Sequence, residues 1–226
     1  MNDAYDFIIW IYTHTGDFDT VIFALPVIIT VCLIYWIARL IWHKYKFGNE
    51  FKIIRKKARL NEIVKLLTVC WLSALLCITL VPTEFWMQLW KNIVSGESLF
   101  YGFAEGRFAE INLMPKVLQF IINGHIDWLF FSARTIFPHL LLNILLFVPL
   151  GIAMPFICTK ATFGKVALTG LFLSLFIEFI QFFIGRECEI DDLICNVVGA
   201  VVGYFLYLLI RKLFPKFTEK CKLSVQ

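Results

Sequence analysis

Long apolar stretches separated by short polar segments dominate the hydropathy pattern of the chain. Five of them are long enough to cross a hydrocarbon layer of roughly 30 Å as helices, a distance about 20 residues cover. They are Val21–Trp42, Ile63–Val81, Ile136–Cys158, Phe163–Ile184 and Leu193–Phe214. None alternates apolar and polar residues as a barrel strand does, so helices are the expected spanning elements. The expected fold is all-α, a multi-pass transmembrane helical bundle.

The segment Thr83–Thr135, between the second and third spans, is too long for a simple connection. It is rich in aromatic residues, including Phe85, Trp86, Trp90, Tyr101 and Trp128, of which Trp and Tyr favour the head-group level of a bilayer. Within it, Lys116–Phe131 (KVLQFIINGHIDWLFF) is apolar but short and is interrupted by Asn123-Gly124-His125. It reads as an interfacial or re-entrant helix rather than a sixth span. Asn112-Leu113-Met114-Pro115 breaks the chain just before it. The segment fits a cap resting on the bilayer and a lid over a site equally well.

Composition supports the hydropathy pattern. Hydrophobic residues make up 60% of the 226 and charged residues only 17%, against roughly 25% charged in soluble domains. A soluble domain of this length could not hide that much apolar surface. A soluble enzyme, a disordered chain and a nucleic-acid-binding domain are thereby excluded.

The net charge of +4 is small, so its distribution carries more information than its size. Met1–Thr20 contains no Lys or Arg, whereas the segment after the first span holds Lys44, Lys46, Lys52, Arg55, Lys56, Lys57 and Arg59. Basic residues mark cytoplasmic loops, which predicts an outside N-terminus and an inside C-terminus. Lys160 and Lys165 at the short third loop, and Arg211, Lys212, Lys216, Lys220 and Lys222 in the tail, agree with that alternation. The chain divides into an N-terminal span with its basic loop (1–62), a membrane domain (63–210) and a basic tail (211–226). Of the seven Cys, most lie within spans and there is no CxxC pair. Cys188 and Cys195 both fall near the outer face, and their pairing is left open.

The last three spans each carry one stripe of polar and small residues at helical spacing. Span three offers His139, Asn143, Phe147 and Gly151; span four offers Gly170, Ser174, Glu178 and Gln181; span five offers Asp192, Asn196, Gly199 and Gly203. Small residues allow backbones to approach closely, and Gly199-x-x-x-Gly203 could serve either packing within the bundle or a dimer. The polar members all fall in the outer halves. A carboxyl in hydrocarbon costs at least about 2.5–3.5 kcal/mol, so Glu178 is expected to face a bundle interior or a wet cavity. Its expected partners are Arg186 or the amides of Gln181 and Asn143. His139 reads as a polar tip at the interface. The same residues could simply bind the helices together, but their convergence on three helices favours an outward-facing pocket.

Asn143-Ile-Leu-Leu-Phe147-Val-Pro149-Leu-Gly151, Glu178-Phe-Ile-Gln181, Gly185-Arg186, Asp191-Asp192 and Asn196-x-x-Gly199 together resemble the VanZ-like family of bacterial membrane proteins. Leu80-Val-Pro82 and Asn112-Leu113-Met114-Pro115 also resemble that family's pattern, over about Cys70 to Leu209, although Lys116 stands where the family usually has an aromatic residue. The resemblance implies a protein of the bacterial cell membrane that confers low-level resistance to teicoplanin and related lipoglycopeptides, meeting the antibiotic only indirectly. It does not supply a biochemical activity. One expectation is a pocket that binds or modifies a membrane lipid or lipid-linked envelope precursor through Asn143, Gln181, Asp191, Asn196 and His139. Arg186 would hold a phosphate, and Asp191 with Asp192 could hold a divalent cation. A second expectation is an enzyme with Glu178 as acid or base, assisted by Asp192 and Arg186. No GxSxG, HExxH or P-loop motif supports it. A non-catalytic scaffold for envelope proteins is a third. A transporter is disfavoured by the lack of an internal repeat.

Overall fold

The computed structural model describes residues 19–48, 59–80, 90–96, 111–112, 114–115, 122, 126–158, 160–183 and 188–222. The expected bundle is present. Helices α1 (Asp19–Phe47), α2 (Arg59–Leu80), α3 (Ile126–Ile157), α4 (Phe163–Phe183) and α5 (Ile190–Leu213) are followed by the short α6 (Pro215–Lys222). Each of α1 to α5 contains a stretch long and apolar enough to cross a membrane, so the chain is a multi-pass membrane protein. Ends agree with the hydropathy reading to within a few residues, because loss of apolar character and loss of helix coincide at a bilayer's edge.

One boundary differs. Ile126–Phe131, expected to close a separate interfacial helix, instead forms the first turns of the 32-residue α3. The helix runs on without a break into the third apolar stretch. Pro149 within α3 cannot donate to the carbonyl of Leu145. The indole of Trp71 on α2 donates to the neighbouring carbonyl of Leu146 at 2.8 Å, bracing α3 at that point.

The architecture is organised around the contact of α3 with α5. A Cβ on Gly199 would overlap the carbonyl oxygen of Ile144, and one on Gly203 would overlap that of Val148. From α3, a Cβ on Gly151 would overlap the carbonyl of Ala200 and lie 2.6 Å from the amide nitrogen of Tyr204. Partners advance together along both helices, so the two run parallel with their backbones touching. The GxxxG face therefore serves internal packing. Around this seam Phe147, Leu75, Val166, Ile177 and Ala200 form the buried core. Helix α1 packs on α2, and its Ile29, Leu33, Ile34, Ile37 and Ile41 remain exposed, as a lipid-facing helix requires.

The two ends of the bundle differ chemically. At the basic end, Arg39 of α1 donates to both carboxylate oxygens of Glu62 of α2, from Nη2 at 2.6 Å and Nε at 3.0 Å, and Lys65 adds a contact at 3.1 Å. Arg39 also lies over the ring of Trp42. Helix α6 closes this end. Its Thr218 and Cys221 are buried, and Asn61 of α2 donates to the carbonyl of Cys221 at 2.7 Å. At the opposite, acidic end, Ile111–Asn112 pairs in parallel with Cys188–Glu189 as a two-residue bridge, Ile111 opposite Cys188 and Asn112 opposite Glu189. This pairing brings Asn112 to the start of α5.

Two outcomes follow from this packing. Gly199→Val should destabilise the chain by about 1–3 kcal/mol or more, because the overlap is with backbone. The melting of the purified protein, followed by labelling of its buried thiols, would show a lowered midpoint. An unchanged midpoint would mean that α3 and α5 are not in backbone contact. Glu62→Ala should cost about 1–3 kcal/mol in the same assay, since Arg39 loses its acceptor in a half-buried setting; no loss would show the pair to be dispensable.

Candidate functional site

The acidic end gathers most of the polar residues singled out in the sequence, and each can be traced to the helix that places it. Asn143 lies on α3 two turns before Gly151, and Asp192 lies in the first turn of α5, two turns before Gly199. Because the glycine seam fixes the register, these side chains meet. Nδ2 of Asn143 donates to Oδ1 of Asp192 at 2.6 Å. His139, one turn earlier on α3, has Nδ1 at 4.0 Å from the same oxygen, with its ring 53% exposed. The reading of His139 as a polar tip agrees with that exposure. Acidic residues in the first turn of α5 also suit the positive end of the helix dipole.

Gln181 and Asn196 are more deeply placed, each only 6% exposed. Nε2 of Gln181 donates to the carbonyl of Thr79 on α2 at 2.9 Å. Nδ2 of Asn196 donates to Oγ of Ser174 on α4 at 2.9 Å, and Ser174 is fully buried. These amides therefore tie α4 to α2 and α5 to α4. Buried amides in apolar surroundings need such partners. Asp191, beside Asp192, is buried at the head of α5.

Glu178 is half-buried in the last turns of α4. The amides of Gln181 and Asn143 are engaged elsewhere, and Arg186 lies outside the described residues. The thiol of Cys188 and the backbone amide of Glu189 lie beside the Glu178 carboxylate. The same thiol donates to the Glu178 carbonyl at 3.2 Å. Oε2 of Glu178 is buried and has no hydrogen-bond partner among the described residues. Asp192 and Glu189 both act on Glu178 electrostatically, so the site concentrates negative charge.

Beside Glu178 opens a cleft of about 570 Å³ between α4 and the start of α5, lined by Leu175, Phe179, Phe183, Cys188, Glu189 and Leu193 among others. Sequence reasoning missed the cleft and the part played by Cys188 and Glu189. Neither residue stands on a helical stripe, and both reach Glu178 through the bridge β2 (Cys188–Glu189), which pairs with the distant β1 (Ile111–Asn112). Cys188 and Cys195 are both free thiols, and burial raises the thiol pKa of Cys188 above its ordinary value.

A divalent cation would need the acids to converge. Among the described residues, no group of three or more His, Cys, Asp or Glu side chains is arranged to hold a metal ion. The arrangement can hold a ligand at a carboxylate set between apolar walls, and it can accept a proton at Glu178.

Comparison with known proteins is consistent with the motif resemblance and extends it toward the N-terminus. No curated protein and no solved structure matches the chain. The VanZ/LLP1 family model matches residues 23–211, taking in all five spanning helices and the basic connection after the first. With more than four-fifths of its length matched in this way, the chain belongs to the VanZ/LLP1 family.

Proposed function

We propose that this protein lowers susceptibility to teicoplanin and related lipoglycopeptides by binding or modifying a lipid-linked component of the bacterial cell envelope at its acidic end. In this reading that end faces outward, the N-terminus is outside and the basic end lies in the cytoplasm. The single observation that carries the reading is the buried Oε2 of Glu178, without a partner among the described residues, beside a cleft walled by apolar side chains. An unsatisfied carboxylate oxygen in such a place costs free energy unless a ligand or water completes it. It is therefore where differential binding of a ligand would be strongest. Asp192 and Asn143 would position the head of that ligand, with Arg186 available to a phosphate.

A catalytic reading draws on the same oxygen. An acceptor that no described neighbour occupies is available to take a proton from a bound substrate. A scaffold role would leave the cleft without a purpose.

Glu178→Gln should abolish lipoglycopeptide resistance, measured as the inhibitory concentration in cells carrying the protein. Asp192→Asn should weaken resistance while keeping an acceptor for Asn143, which separates loss of charge from loss of packing. Full resistance in both variants at normal membrane abundance would remove the pocket from the mechanism. A reporter fused after Gln226 that is active only in the cytoplasm should be active; an inactive one would invert the orientation.

A further inference from the structure

The chemistry of the cleft narrows the class of lipid it would take, and this step rests on reading the Glu178 site as the ligand site. Its walls are Leu175, Phe179, Phe183 and Leu193, and its ionisable carboxyls come from Glu178 and Glu189. Among the described residues lining it there is no Lys, Arg or His. On the rim, Phe179 is 63% exposed and Leu175 44%. Both lie on a helix of membrane-spanning length, so the cleft opens sideways toward acyl chains rather than only toward water. Its volume of about 570 Å³ falls within the range of small-molecule sites, which run to about 1,000 Å³. That is enough for a head group and the upper part of a chain.

Charge decides what kind of head group fits. A phosphate-only head group would bring negative charge against two carboxylates with Asp192 behind them, in surroundings where water screens poorly. A quaternary ammonium has the right sign but no N–H to give Oε2 of Glu178. A primary ammonium is compact, positively charged and carries three donors. It would satisfy Oε2 of Glu178, a buried oxygen at the cleft that lacks a partner among the described residues.

We infer that the cleft binds a membrane lipid with a primary-amine head group, the ammonium donating to Oε2 of Glu178 and one acyl chain lying along Leu175, Phe179 and Leu193. The closing experiment offers the purified full-length protein an equimolar mixture of phosphatidylethanolamine, phosphatidylcholine and phosphatidylglycerol in mixed micelles and reads retained lipid by native mass spectrometry. Phosphatidylethanolamine should be retained over either competitor by about tenfold or more, the scale of a charge-assisted hydrogen bond. Glu178→Gln should remove the preference. Leu193→Trp, which fills the cleft without touching the carboxylate, should lower retention of this lipid and keeps the test open if the first variant does not fold. Equal retention of the three lipids, a preference for phosphatidylglycerol, or a preference that survives both variants would overturn the inference. Loss of resistance in Glu178→Gln with no ammonium preference in the parent would sink this inference alone. A clear ammonium preference combined with full resistance in Glu178→Gln would sink the functional reading alone.

Discussion

The backbone contact between α3 and α5 is the constraint on which the rest of the molecule depends. In a bilayer, helices gain little by leaving lipid for one another, since lipid tails are as apolar as Leu. Association then relies on close packing, and Gly151, Gly199 and Gly203 allow it by removing the atoms that would keep the backbones apart. The resulting register is rigid because carbonyls, not flexible side chains, occupy the space. It sets Asn143 against Asp192 and leaves Phe147 and Ala200 in a core with no exposure. Interhelical hydrogen bonds in membranes contribute on average about 0.6 kcal/mol each, so the amide bonds at the acidic end refine a packing that the glycines make possible.

Those polar bonds divide the candidate residues into two kinds. Gln181 and Asn196 are occupied with Thr79 and Ser174 and hold helices together. Glu178 shares the stripe of Gln181 on α4, but has one oxygen unpartnered among the described residues and an apolar opening beside it. A polar stripe on a helix thus combines two tasks that look alike in one dimension. Amides that can donate and accept are suited to bridging helices, while a lone acid amid other acids is suited to receiving a cation or a proton.

The basic end shows the contrary arrangement. Glu62 has three cationic neighbours in Arg39, Lys65 and, when protonated, His43, and α6 seals the space beneath through Asn61 and Cys221. Its carboxylate is fully engaged where that of Glu178 is not. The contrast marks the basic end as the fastened one, and the acidic end is the one proposed to recognise a ligand.

Much of this was determined by the sequence alone. Five apolar runs specify five spanning helices, because no other element satisfies the backbone in hydrocarbon. Spacing of three and four residues placed Asn143, Glu178 and Asp192 on stripes, and the Gly199-x-x-x-Gly203 pair marked a close approach. Only the tertiary structure decided what each stripe faces. Helical spacing fixes a direction around one axis but not the neighbour across it, so the sequence could not tell packing from a dimer, or show that Cys188 and Glu189 stand beside Glu178. The bridge of Ile111–Asn112 with Cys188–Glu189 joins segments more than 70 residues apart, and a cleft formed by the end of one helix and the start of the next has no periodic signature. Local pattern set the elements, and backbone contact across helices set the site.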